Sequence, residues 1–147
     1  MYTLRDVKVW EKSHHLSLHI HKLTAAFPPE ELMGGLATEM RKASLLVSGK
    51  IADGWGRGSD KDLARCLSYA QGHAAALDTL AVIARDLGYF TAEDYAVVEI
   101  EITEIQKMLY GFLKAVKARL ADKPGEKSGE NPEDREAERA EAARAAA

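Results

Sequence analysis

The stretch Ile51-Ala52-Asp53-Gly54-Trp55-Gly56-Arg57-Gly58-Ser59 separates two long amphipathic segments, and it decides the fold. Its three glycines accept backbone conformations that other residues avoid, so they predict that one helix ends and the chain turns sharply here. Ser59 is a favourable N-cap residue, and Asp62 three positions later completes a near capping box. Trp55 is expected to pack at the end of a helical bundle or at an interface between subunits. The glycine spacing matches no phosphate-binding loop, and no strand is predicted before it, which favours a helix–helix turn.

Apolar residues recur at helical spacing on both sides of this turn. The pattern predicts four helices, over about residues 6–26, 29–53, 60–87 and 92–121. Asp6 and Thr91 are the predicted N-caps of the first and last helices, and Gly88 is the predicted C-terminal stop of the third. Gly34-Gly35 should delay the regular part of the second helix to Leu36. Long helices with short connections favour an all-α, antiparallel up-down four-helix bundle.

The charge balance divides the chain of 147 residues into two parts. Residues 1–121 carry 15 basic and 15 acidic side chains, whereas residues 122–147 carry five and eight. The second part has no large apolar residue after its Pro/Gly-containing start, so it predicts a mobile acidic tail with nothing to bury. The predicted domain organisation is therefore a bundle over 1–121 and a tail over 122–147.

The number of cysteines and the hydropathy of the chain indicate the cellular compartment of the protein. Cys66 is the single cysteine, so no disulfide can form within one chain, as expected in a reducing cytoplasm. The N-terminal residues lack the pattern of a signal peptide, and no apolar run approaches the roughly 20 residues that span a bilayer. We expect a cytoplasmic protein without a membrane partner.

A group of basic residues is expected to cluster around the end of the second predicted helix, the loop and the start of the third helix. Its members are Arg41, Lys42, Lys50, Arg57, Lys61 and Arg65. Such an array can bind nucleic-acid phosphates, and an oligomer would repeat it and raise its avidity. Four acidic residues in the same region favour the alternative of solvated faces and intersubunit ion pairs. The later cations Lys107, Lys114, Lys117 and Arg119 suit a helix C-terminus but could form a second patch.

No residue pattern indicates catalysis. Glu11, His15 and His19 lie at successive helical turns, but without a fourth ligand they give only a weak metal motif. Cys66 has no neighbouring histidine in the sequence that could activate it, and it is expected to be a small core residue. We therefore predict no catalytic site, no cofactor and no metal.

Several short motifs, in this order, resemble one family. These motifs are Val9-Trp10-Glu11-Lys12, Phe27-Pro28, Ile51-Ala52-Asp53-Gly54-x-Gly56-Arg57 and Leu87-Gly88-Tyr89. The chain resembles, over residues 2–120, the small bacterial four-helix-bundle proteins first noticed within 23S ribosomal RNA intervening sequences. Those proteins are similar in fold to the accessory variability protein of diversity-generating retroelements, a pentamer that binds nucleic acid and a reverse transcriptase. The resemblance implies a ring-like homo-oligomer, with the pentamer as its expected form.

The chain departs from this family pattern at polar positions. Where relatives carry Ser-Asn-Ile-Ala-Glu-Gly, this chain has Gly49-Lys50-Ile51-Ala52-Asp53-Gly54. A Gly-Ser pair of the third helix is replaced by Gly72-His73, and a later glutamate by Ala76. We predict a non-catalytic oligomeric scaffold that binds RNA or DNA, or serves a reverse transcriptase. The alternative is a purely structural oligomer that binds another protein.

Overall fold

The computed structural model describes residues 2–122 and 132–146, and every element within them is helical. A short 3-10 turn, Leu4–Asp6, precedes the first α-helix. The α-helices are α1 (Lys8–Thr24), α2 (Pro29–Leu32), α3 (Leu36–Gly56), α4 (Asp60–Asp86), α5 (Ala92–Asp122) and α6 (Pro132–Ala145). The four long helices predicted from periodicity are therefore present, and Gly34-Gly35 does interrupt the second of them.

The turn between α3 and α4 is shorter than the glycine pattern predicts. Helix α3 continues through Gly54 to Gly56, and only Gly58 takes a positive φ, of 85°. Ser59 caps α4 as expected, because its Oγ accepts a hydrogen bond from the backbone N–H of Asp62 at 3.1 Å. The assignment of Gly54 and Gly56 to the turn is wrong.

Gly54 has a packing role instead. A Cβ atom at this position would lie 2.7 Å from Cβ of Cys66 and 3.2 Å from Cα of Leu63. Only glycine lets the backbones of α3 and α4 approach so closely without displacing one of them. Glycine at residue 54 therefore sets the spacing of the two helices.

The predicted caps are correct for α4 and α5 but wrong for α1. Thr91 Oγ1 accepts a hydrogen bond from the backbone N–H of Asp94 at 3.0 Å, and Gly88 takes a φ of 77° after α4. Val7, and not Asp6, is the N-cap of α1. The Asp6 carboxylate accepts from the backbone N–H of Thr3 at 2.7 Å, so it closes the preceding 3-10 turn.

The core is formed by apolar side chains from α1, α3, α4 and α5. The largest fully buried ones include Leu16, Ile20, Met40, Ile51, Leu63, Leu67, Leu77, Ile102, Ile105, Leu109 and Phe112. Helix α3 packs along α4, and α4 packs along α5, while α1 contacts both α3 and α5. Aromatic rings lie at the two ends of α4: Phe27 packs on Tyr89 and Phe90 at one end, and Trp55 on Tyr2 at the other.

Helix α6 corrects the expectation that the C-terminal segment has nothing to bury. It packs against α5 and also touches α1. Three of its alanines and Arg139 are buried, and Ala146 lies against Gly111 of α5. Alanine removes little apolar area from water, which is why the hydropathy pattern does not reveal this contact. Asp122, the first residue of the predicted tail, is the last residue of α5, and residues 123–131 lie outside the described residues. The division at residue 121 stays a prediction.

Candidate nucleic-acid interface

Asp53 organises the polar groups at the C-terminal end of α3. Residues 50, 53 and 57 are spaced by three and four positions, so their side chains meet on one helix face. Arg57 Nε donates to Asp53 Oδ1 at 2.7 Å, and Lys50 Nζ lies 3.8 Å from Asp53 Oδ2. The thiol of Cys66, on α4, points at Asp53 Oδ2 with a sulfur–oxygen distance of 3.7 Å.

This arrangement fixes the charges of its members. The hydrogen bond from Arg57 lowers the pKa of Asp53, and the same hydrogen bond raises the pKa of Arg57. Burial raises the pKa of the Cys66 thiol, and the Asp53 charge raises it further. The thiol is therefore held protonated, which disfavours a role as a nucleophile, because the thiolate is the reactive form.

Lys50 also reaches across to α4. Its Nζ lies 5.5 Å from the centre of the Tyr69 ring, within the range of a cation–π contact. Burial lowers the pKa of His73, and the charge of Lys50 lowers it further. Lys50 and His73, two of the departures from the family pattern, thus lie close enough for the charge of one to change the pKa of the other.

The first turns of α4 supply further cations at the same end. Arg65 Nη2 lies 2.9 Å from Asp62 Oδ1, with both side chains partly exposed. Lys61 is exposed and forms no ion pair with any residue that the structure describes. Within the part of the chain that the structure describes, Lys61 is therefore an unpaired cation, whereas Arg57 and Arg65, four residues before and after it, are both paired.

Arg41 and Lys42 lie far from this group. Sixteen residues of helix separate Arg41 from Arg57, a distance of about 24 Å along α3. Arg41 Nε donates to Thr24 Oγ1 at 2.9 Å, so its side chain ties α3 to the end of α1. Lys42 is exposed on the next position. The expectation that all six cations cluster at the turn is wrong for these two, while nucleic-acid binding by each of the six stays a prediction.

A second charged group joins α4, α5 and α6, and sequence analysis missed it. Arg119 Nη2 lies 3.0 Å from Asp60 Oδ2 and 2.9 Å from Glu138 Oε2. Arg139 Nη1 donates to the carbonyl of Trp55 at 2.5 Å. The only sequence signal was the position of Arg119 near a helix C-terminus, because its acidic partners lie 59 residues before and 19 residues after it in the chain.

The histidines do not converge on a metal. His19 Nδ1 lies 2.9 Å from Glu101 Oε1 of α5, while His15 Nε2 lies 3.8 Å from Glu11 Oε1. Among residues 2–122 and 132–146, no three His, Cys, Asp or Glu side chains are grouped as metal ligands. Within the same ranges no helix is both long and apolar enough to cross a membrane.

The fold and this site define a protein that is all-helical over the described residues, with pairs of cations and carboxylates along its helix faces. The chain belongs to the 23S rRNA-intervening sequence protein family, because the family model matches residues 5–111, most of the chain. This match confirms the family resemblance, and α6 lies beyond the matched range. No curated protein matches the chain at a significant level. The relation to the retroelement variability proteins stays a prediction.

Proposed function

We propose that the protein is a non-catalytic scaffold that binds RNA or DNA through the end where α3 meets α4. The observation that carries this proposal is that Lys61, which stands between Arg57 and Arg65 in the sequence, is exposed and forms no ion pair with the described residues. Phosphates attract such cations regardless of base sequence. The family description, which refers to intervening sequences of 23S rRNA, supports a nucleic-acid partner.

The proposal includes self-association of an antiparallel up-down four-helix bundle. Large apolar side chains remain exposed on the outer surfaces of α4 and α5, with Ile100 at 67% and Tyr110 at 64% of full exposure. Exposed apolar patches commonly mark protein interfaces. A ring of copies, for which the resemblance suggests five, would repeat the cations of the α3–α4 end and strengthen weak phosphate contacts.

The same apolar surface favours a second candidate, a structural oligomer whose partner is another protein and not a nucleic acid. A reverse transcriptase is one partner that the resemblance suggests. Both candidates are non-enzymatic and need no cofactor. We place the protein in the cytoplasm, where a single protonated Cys66 would stay reduced.

The test is fluorescence anisotropy of labelled structured RNA and duplex DNA at about 50 and about 200 mM salt. We expect binding that weakens steeply with salt and is strongly reduced in Arg57→Gln/Lys61→Gln. The matched control is Lys8→Gln/Lys22→Gln, which removes two exposed cations from α1. Light scattering should give a mass several times 16.1 kDa.

Equal losses in the two double variants would show that net charge, and not the α3–α4 end, drives binding. An oligomer that fails to bind either nucleic acid at low salt would favour the protein-partner candidate. A monomer at micromolar concentration would remove the ring from the proposal.

A further inference from the structure

The C-terminal end of α5 carries a guanidinium shared by two carboxylates from different parts of the chain. Asp60 belongs to the first turn of α4, and Glu138 belongs to α6. Both contact Nη2 of Arg119, at 3.0 and 2.9 Å. Nη1 of Arg119 is buried and has no hydrogen-bond partner among the described residues. One of the three nitrogens of this guanidinium, with two of its five N–H groups, is therefore without a hydrogen bond to the described residues while α6 is in place.

Arg119 is continuous with the candidate interface. Its partner Asp60 is the neighbour of Lys61, the free cation at the start of α4. The preceding turns of α5 add the exposed Lys114 and Lys117, and no acid lies between Glu104 and Arg119. Removal of α6 would extend the cationic surface of the α3–α4 end onto α5.

Polar contacts help to hold α6, beside its buried alanines. Arg135 Nη1 donates to the carbonyl of Gly58 at 3.4 Å, and Arg139 Nη1 donates to the carbonyl of Trp55. Carbonyls at a helix C-terminus lack intrahelical donors and carry partial negative charge, so they attract such cations. Arg139 is only 4% exposed, and its Nε lies 3.7 Å from Asp60 Oδ1, within ion-pair range. At that distance the contact is not a hydrogen bond, so Nε and Nη2 find no hydrogen-bond partner in the described parts of the chain. Buried donors without partners oppose docking, which makes α6 easier to displace.

Helix α6 is itself acidic. Five acids and three arginines lie between residues 132 and 146. A carboxylate and a phosphate present similar oxygen pairs to the fork of a guanidinium. The Glu138 carboxylate thus occupies the position on Arg119 that a phosphate oxygen would take.

We infer that α6 is a displaceable cover whose Glu138 occupies a phosphate-binding position on Arg119, and that nucleic acid binds there by displacing α6. This inference rests on the proposed function. It adds Arg119 to the interface, and it makes α6 a competitive inhibitor within the same chain. A groove of about 470 Å³ between α5 and α6, which both Arg119 and Glu138 line, gives solvent access to this contact.

The test compares Glu138→Ala with Glu141→Ala in the full chain, by anisotropy of labelled RNA and duplex DNA at about 50 mM salt. Both variants remove one acid from α6, but Glu141 forms no ion pair with the described residues. We expect Glu138→Ala to bind roughly twofold to fivefold more tightly than Glu141→Ala, as loss of one partly exposed ion pair allows. Adding Arg119→Gln to Glu138→Ala should abolish this gain.

Hydrogen exchange gives an independent readout. Saturating nucleic acid should accelerate exchange of the α6 amides in the unmodified protein, because the cover leaves its site. Binding that leaves α6 exchange unchanged, with equal affinities for the two alanine variants, would overturn the inference and leave the proposed function standing. If neither the parent nor Glu138→Ala binds nucleic acid, both proposals fail together.

Discussion

The contact between α3 and α4 and the contact between α5 and α6 are held by different forces. Fully buried Ile51, Leu63 and Leu67 fill the first contact, and Gly54 lets the two backbones approach. The second contact is formed by alanines and by the polar groups of Arg119, Glu138 and Arg139. A buried leucine contributes about 1.5–3 kcal/mol by leaving water, whereas an alanine contributes far less.

This difference indicates that the two contacts open separately. Apolar packing of α3 on α4 belongs to the core, and its loss unfolds the chain as a unit. The α6 contact depends in part on charges that salt screens, and its buried Arg139 has two nitrogens without hydrogen bonds to the described residues. Local opening of α6 should therefore need less free energy than global unfolding.

The largest expected effect is a difference in stability loss between two variants, one in each contact. Leu67→Ala should lower the free energy of unfolding by about 2–5 kcal/mol, because it removes a fully buried side chain and leaves a cavity. Arg139→Gln should lower it by only about 1 kcal/mol, although it removes one hydrogen bond and the ion pair with Asp60. Asp60 keeps Arg119 as a partner, and the substitution relieves buried donors that lack hydrogen bonds. Urea denaturation followed by circular dichroism measures both. Similar losses in the two variants would mean that α6 is part of the cooperative core.

Substitution of glycine by alanine tests the close approach of α3 and α4. Gly54→Ala should destabilise the protein by about 1–3 kcal/mol, because its new methyl group would overlap Cβ of Cys66. Gly49→Ala is the matched control on the same helix. No atom lies within 4 Å of an added Cβ there, so its higher helix propensity should stabilise the protein by up to about 1 kcal/mol. A stabilising Gly54→Ala would show that the helices are farther apart than the structure has them.

The sequence predicts the four long helices and most of their ends well. Periodic apolar residues identify the four long helices, and turn chemistry identifies Gly88, Ser59 and Thr91 at their ends. These signals are local, since each depends on residues within about one turn. Gly54 was misassigned because a glycine needed for helix contact cannot be told from a turn glycine without knowing the facing residue, Cys66.

The candidate site was predicted less well, because its partners are distant in the chain. Arg57 pairs with Asp53 one helical turn away, and such a pair can be anticipated from spacing. Arg41 binds Thr24, and Arg119 binds Asp60 and Glu138, through contacts that only the folded chain creates. The packing of α6 on the bundle was not predicted, because alanine carries only a weak hydrophobic signal and arginine carries none, even where they are buried.

The smallest expected effect tests whether α6 lies where the structure places it. A Cβ added at Gly111 would approach Cβ and the carbonyl oxygen of Ala146 to 3.2 Å, so the last turn of α6 must shift. Gly111→Ala should still gain helix propensity in α5, but less stability than Gly49→Ala gains, with a difference of under about 1 kcal/mol. Hydrogen exchange over residues 140–146 should accelerate in Gly111→Ala and stay unchanged in Gly49→Ala. Unchanged exchange in both variants would mean that α6 does not rest on α5, and the contrast between the two contacts would lose its basis.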